Sequence, residues 1–119
     1  MNIIVADDDK VLSRMICGVL HEEGHITLPA FDSIQTLMFA MKQPPDLVLL
    51  DIQMPGGTGV EVLRKLRASV KTAHVPVIVI SGSKNPKLPD EVISLGAAKF
   101  LPKPIQPEVL VEAVREVFR

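Results

Sequence analysis

Three consecutive carboxylates, Asp7, Asp8 and Asp9, directly follow a short apolar run, Asp51 closes another, Ser81 follows a third, and Lys103 lies just past a fourth. Taken singly, each has a plain structural role, because Asp and Ser in loops that lead into helices commonly serve as caps. Asp9 reads as such a cap. As a set they point to chemistry. If the runs ending at Asp7 and Asp51 are neighbouring strands, two carboxylates about 4 Å apart repel by about 4 kcal/mol at an effective dielectric near 20, roughly three pKa units. Lys103 compensates one charge and not three. A hard cation with oxygen ligands is the natural complement, and octahedral Mg²⁺ takes one or two carboxylates, keeps waters and accepts phosphate oxygens. A carboxylate nucleophile, a cation, a hydroxyl donor and a lysine are the parts of phosphoryl transfer to aspartate, in which positioning and charge stabilisation do most of the work.

Side chains so far apart in sequence converge only if the intervening elements bring them to one rim. Ile3-Ile4-Val5, Leu47-Val48-Leu49-Leu50, Val77-Ile78-Val79-Ile80 and Phe100-Leu101 are apolar at successive positions, the pattern of parallel strands buried on both faces. Ile26-Thr27-Leu28 is weaker and suits an edge. Between them lie helical patterns. Val11, Leu12, Met15, Ile16, Val19 and Leu20 share one face after Asp9, with Gly24 as a stop. Ser33 is a candidate cap for a helix with Ile34, Leu37, Met38 and Met41 inward, and Gly59 onward carries Val60, Leu63 and Leu66. The proline-punctuated stretch Ser83 to Pro89 predicts a long loop and a short helix of about Asp90 to Leu95. A last helix starts at Pro107 with Leu110, Ala113, Val114, Val117 and Phe118 on its stripe. Five strand-helix units imply an α/β fold with an open parallel sheet covered on both faces, whose ligands bind beyond the carboxyl ends of the strands.

The bulk properties restrict the function further. A chain of 119 residues with 47% hydrophobic and 23% charged residues suits one globular domain, residues 1–119. The net charge of −1 and the scattered basic residues exclude the footprint of a nucleic-acid binder. Arg64, Lys65, Arg67 and Lys71 read as a solvated helix face, and His21, His25 and His74 lack ligand spacing. Cys17 is a lone thiol, and the first apolar run is cut short by aspartates, so no membrane span is expected and a cytoplasmic location is.

Five separated motifs resemble the receiver domains of bacterial two-component response regulators: Ile4-Val5-Ala6-Asp7-Asp8-Asp9, Leu49 through Gly56, Val79-Ile80-Ser81-Gly82, Gly96-Ala97, and Leu101-Pro102-Lys103-Pro104. The resemblance spans essentially the whole chain and implies a doubly wound, flavodoxin-like (βα)5 fold with strand order 2-1-3-4-5. It makes Asp51 the phosphoacceptor. Asp7 and Asp8, with Asp51 and the Gln53 backbone carbonyl, would hold Mg²⁺ or Mn²⁺. Ser81 would bond the phosphoryl oxygens, Gly82 would leave them room, and Lys103 would pair with them beside a cis bond to Pro104. Ser81 and Phe100 would form the switch, Phe100 lacking the hydroxyl that many relatives carry. The implied partners are a histidine kinase or histidine phosphotransfer protein and a downstream effector, without direct nucleic-acid contact, and a phosphorylation-dependent homodimer is compatible. Two alternatives remain. A haloacid-dehalogenase-like phosphohydrolase would use Asp7-x-Asp9, Ser81 and Lys103, but needs a late acidic pair where only helical Glu108, Glu112 and Glu116 remain. An interaction module of the same fold would not be phosphorylated, against which stands the complete set of Asp7, Asp8, Asp51, Ser81 and Lys103.

Overall fold

A computed structural model describes residues 1–56 and 58–118. Strands and helices alternate: β1 (Asn2–Ala6), α1 (Lys10–Glu22), β2 (Ile26–Ala30), α2 (Ser33–Lys42), β3 (Leu47–Asp51), α3 (Gly59–Ala68), β4 (Val77–Ser81), α4 (Leu88–Ser94), β5 (Lys99–Pro102) and α5 (Pro107–Val117). The strands pair in parallel in the order β2-β1-β3-β4-β5. This is the doubly wound flavodoxin-like arrangement expected from the sequence. β3 and β4 are buried at every position, which is why their runs show no alternation.

Side chains leaving opposite faces of the sheet build two cores. Ile4, Ala6, Val48, Leu50, Val77 and Val79 pack with Ala40, Val62, Leu63, Leu66, Leu88 and Val92 of α2, α3 and α4. Ile3, Val5, Leu47, Leu49, Ile78 and Ile80 pack with Ile16, Leu20, Leu110, Ala113 and Val114 of α1 and α5. Each fully buried leucine or isoleucine contributes about 1.5–3 kcal/mol relative to exposure.

β2 forms one edge and carries Pro29. Ile26 N–H donates to Met1 O, and Ala30 O accepts from Asp7 N–H, so positions 26 and 30 turn their backbone groups toward β1. Backbone direction alternates along a strand, so Thr27 and Pro29 turn theirs outward.

Several local expectations need correction. Asp32, not Ser33, caps α2, its side chain accepting from Gln35 N–H at 2.7 Å. The helix is also turned partly from the expected phase: Leu37 and Met41 pack against the core as expected, but Ser33, Thr36 and Ala40 are the buried residues, whereas Ile34 and Met38 are 68% and 54% exposed. The Thr36 hydroxyl donates to Asp32 O, which lets a polar residue sit against the core. Val11 is 80% exposed, although Asp9 caps α1 through Val11 N–H and Leu12 N–H. Arg67 is not a solvated charge. It is half-buried, its guanidinium donates to Ala73 O and Val75 O, and burial pulls its pKa down.

Candidate phosphorylation site

Strand register sets the site. Ala6 lies opposite Leu50, so Asp7 leaves β1 beside Asp51 at the end of β3. Ser81 lies opposite Pro102, so Lys103 leaves β5 beside the end of β4. The pairing extends past the strands through Ile52 N–H to Ile80 O and Lys103 N–H to Ser81 O at 2.9 Å. The Lys103–Pro104 peptide is cis.

Four of the predicted side chains form one cluster. Ligand oxygens of Asp7, Asp8 and Asp51 all lie within 4.8 Å of one another. Lys103 Nζ stands 3.1 Å from Asp7 Oδ2 and 3.4 Å from Asp51 Oδ2. Asp7 and Asp51 are each 2% exposed, while Asp8 faces solvent. The other carboxylate oxygens of the buried pair hold the loops in place: Asp7 Oδ1 accepts from Asp9 N–H at 2.9 Å and Asp51 Oδ1 from Gln53 N–H at 3.1 Å.

These positions have electrostatic consequences. Burial pushes the Asp51 carboxyl up to about 6; the Gln53 N–H and Lys103 oppose the rise, and Asp7 adds to it. Burial alone would pull the Lys103 ammonium down, but Asp51 and Asp7 together hold it above its ordinary value. One ammonium facing three carboxylates leaves the cluster short of positive charge. Asp7 Oδ2 is buried and, beyond its ion pair with Lys103, receives no directed hydrogen bond. A buried anionic oxygen that shares a single ammonium with Asp51, among further carboxylates, fits a small divalent cation with oxygen ligands.

Ser81 is fully buried at the same rim, and its Oγ accepts from Ser83 N–H at 3.0 Å. The accepting chain continues: Ser83 Oγ takes Asn85 N–H at 3.2 Å, and Asn85 Oδ1 takes Lys87 N–H at 3.0 Å. A ladder of short turns thus runs from the Ser81 hydroxyl to the start of α4. The helix has no side-chain cap and is short, as expected, but it starts at Leu88, so Pro89 lies in its first turn rather than ahead of it. A side chain at Gly82 would meet only the Lys103 stem at ordinary contact distance, 3.8 Å from Cβ. Phe100 stands apart from the cluster, half-buried beside α5 and bordering a groove of about 420 Å³ with Lys99, Val109 and Glu112.

One contact at the site has no counterpart in the sequence reading. Gly59, the first residue of α3, donates its N–H to Ile52 O at 2.9 Å. A Cβ there would lie 2.5 Å from Ile52 Cα and 2.8 Å from Asp51 O. The only trace in the sequence is a glycine directly after the capping Thr58, which also fits an ordinary helix start.

A five-stranded parallel sheet with acidic residues and a lysine at its carboxyl rim defines a class of signalling domains. The signature of the response regulator receiver domain matches residues 3–115. Among curated relatives, the DNA-binding response regulator MtrA of Mycolicibacterium paratuberculosis is 38% identical over 98% of this chain and 51% of its own length. The phosphate regulon transcriptional regulatory protein PhoB of Pseudomonas aeruginosa is 29% identical over 98% and 51%. The chain spans about half the length of these curated relatives. Among solved structures, the chemotaxis response regulator CheY4 of Vibrio cholerae superposes with a TM-score of 0.91 at 26% identity, covering 98% of this chain and 97% of that one. The receiver domain of NtrX from Brucella abortus gives 0.88 at 31% identity, covering 96% and 95%. The chain belongs to the response regulator receiver domain family of two-component systems. Members of that family are signalling modules that bind Mg²⁺ at an acidic pocket and interact with histidine kinases and output domains. Among the described residues no helix is long and apolar enough to cross a membrane.

Proposed function

We propose that Asp51 accepts a phosphoryl group from a phosphohistidine on a histidine kinase or histidine phosphotransfer protein, and that the modified domain relays the signal to a downstream effector. The observation that carries this reading is the position of Asp51. It is buried, beside two further carboxylates, and faces the Lys103 ammonium with one oxygen.

Asp7, Asp8, Asp51 and the Gln53 carbonyl are the groups that would hold Mg²⁺ or Mn²⁺. When bound, the ion supplies positive charge to gather the phosphoryl oxygens. An Asp51 oxygen forms the new P–O bond as the P–N bond to the donor imidazole breaks, and the imidazole leaves with the bonding pair. Lys103 offsets negative charge on the transferred group. The Ser81 oxygen already accepts from Ser83, so its hydrogen is free to donate to a phosphoryl oxygen. Gly82 leaves the approach open. Drawing Ser81 toward the phosphoryl group would free space for Phe100 and alter the surface made by α4, β5 and α5. A population shift from one in a hundred to ninety-nine in a hundred needs about 5.5 kcal/mol of differential stabilisation. The domain acts here as a switch that assists its own phosphorylation and dephosphorylation, in the cytoplasm, where a lone thiol such as Cys17 stays reduced.

The test is incubation of the protein with Mg²⁺ and acetyl phosphate, followed by mass spectrometric mapping. Label on Asp51, lost in Asp51→Asn and without added divalent cation, is the expected result. Label on Asp7 would favour a phosphohydrolase, and no label at all would favour an unphosphorylated interaction module. Gel filtration before and after labelling reports any linked dimerisation.

A further inference from the structure

Among the described glycines, Gly59 is the one whose added Cβ would come within 3 Å of backbone atoms, and those atoms lie at the end of the phosphoacceptor strand. At 2.5 Å from Ile52 Cα and 2.8 Å from Asp51 O, an added Cβ would overlap backbone atoms, which cannot swing aside as a side-chain tip can. The need for glycine comes from this contact, because among the described residues the glycines with positive φ are Gly24, Gly56 and Gly96. The overlapped peptide joins Asp51 to Ile52, directly before Gln53, whose N–H holds Asp51 Oδ1. Farther along the loop, Pro55 O accepts from Ser33 N–H at 3.0 Å, so α2 pins the segment from its other end. α3 is anchored in turn by Val62, Leu63 and Leu66, all buried. With the loop fastened at both ends and the helix seated in the core, displacement concentrates on the short segment between Asp51 and Gln53.

We propose that Gly59 is a positioning residue for phosphoryl transfer: its missing side chain lets α3 clasp the Asp51–Ile52 peptide and hold the Asp51 carboxylate and Gln53 carbonyl in register for a divalent cation. This rests on the phosphoacceptor reading given above. It goes beyond that reading because it assigns site geometry to a residue that touches neither cation nor phosphoryl group. A carboxylate or carbonyl displaced by several tenths of an ångström is a poorer fit to an octahedral ion, which tolerates little distortion.

The experiment compares the wild-type protein, Gly59→Ala and Gly18→Ala, the last adding a methyl where nothing lies within 4 Å. Circular dichroism first establishes the temperature range in which each variant is folded. Mg²⁺ affinity is then measured by calorimetric titration in that range, and labelling by acetyl phosphate is followed at saturating Mg²⁺. Gly59→Ala is expected to bind Mg²⁺ about tenfold more weakly and to label about ten- to a hundredfold more slowly, as small misplacements of reacting groups do. Gly18→Ala is expected to match wild type in both. Wild-type affinity and rate in folded Gly59→Ala would overturn the proposal. If α3 merely lifts away, thermal stability falls while Mg²⁺ affinity stays, which also overturns it. Should Gly59→Ala not fold, the Gly59 amide resonance of the wild-type protein decides: a shift with the same midpoint as Mg²⁺ binding supports the clasp, and an unmoved resonance refutes it. Absent Mg²⁺ binding or labelling in wild type would instead sink the phosphoacceptor reading itself.

Discussion

Asp51 holds its proton more tightly in the folded protein than in the unfolded chain, since its pKa rises from 3.8 to about 6. The stability this gives is fully present below about pH 4 and is lost as pH climbs through 6, so near neutrality the buried charge costs up to about 3 kcal/mol without a cation. Asp51→Asn should therefore stabilise the metal-free protein against urea, by about 2–3 kcal/mol at pH 7 and by little at pH 4. An equal effect at both pH values would contradict burial as the cause. Lys103→Met has the opposite sense. It leaves Asp7 and Asp51 buried without their counter-charge and should cost on the order of 2 kcal/mol at pH 7. The same change removes a cation that competes with Mg²⁺, so calorimetry should report tighter Mg²⁺ binding together with slower labelling.

Among the elements, the loop between β4 and α4 has the most consequence for signalling. Ser81, Ser83 and Asn85 each accept the N–H two residues on, and the last rung seats Lys87 at the head of α4. Asn85→Ala removes that rung at a cost of about 0.5–1.5 kcal/mol. Hydrogen exchange at the Lys87 amide should quicken, and phosphorylation should then perturb the α4 amides less than in wild type. Unchanged exchange at Lys87 would rule the ladder out as a connection. The shortness of α4 was legible from its prolines, although Pro89 sits inside its first turn; Asp9 was legible as the α1 cap from its place before an apolar stripe. In α2, Leu37 and Met41 pack as expected, but Ile34 and Met38 were misread for a physical reason. Periodicity finds the greasiest stripe, here Ile34 and Met38, but close packing against the sheet selected small residues, Ser33 and Ala40, and a Thr36 whose hydroxyl is satisfied locally.

At the scale of the whole molecule, the sequence displayed the sheet because both of its faces are covered, which leaves unbroken apolar runs that end at the functional rim. Asp7, Asp51, Ser81 and Lys103 could be picked out as the residues where those runs stop. Gly59 could not, because its role depends on how near α3 comes to β3, and no local pattern encodes that distance. Charge and composition spoke only to what the domain lacks. The relative MtrA, about twice the length of this chain, carries a name that describes DNA binding.

The outward turn of Pro29 protects the molecule from itself. A free strand margin offers a row of amide hydrogens on which another chain can grow, and β2 adds sticky Ile26 and Leu28 side chains to that invitation. A proline whose ring replaces one of those outward hydrogens interrupts the template without touching the bonds to β1. Pro29→Val should leave the monomer folded and its labelling intact, yet turn concentrated solutions turbid sooner on storage, as light scattering would record. The sheet can then stop at five strands even when many copies of the domain crowd together.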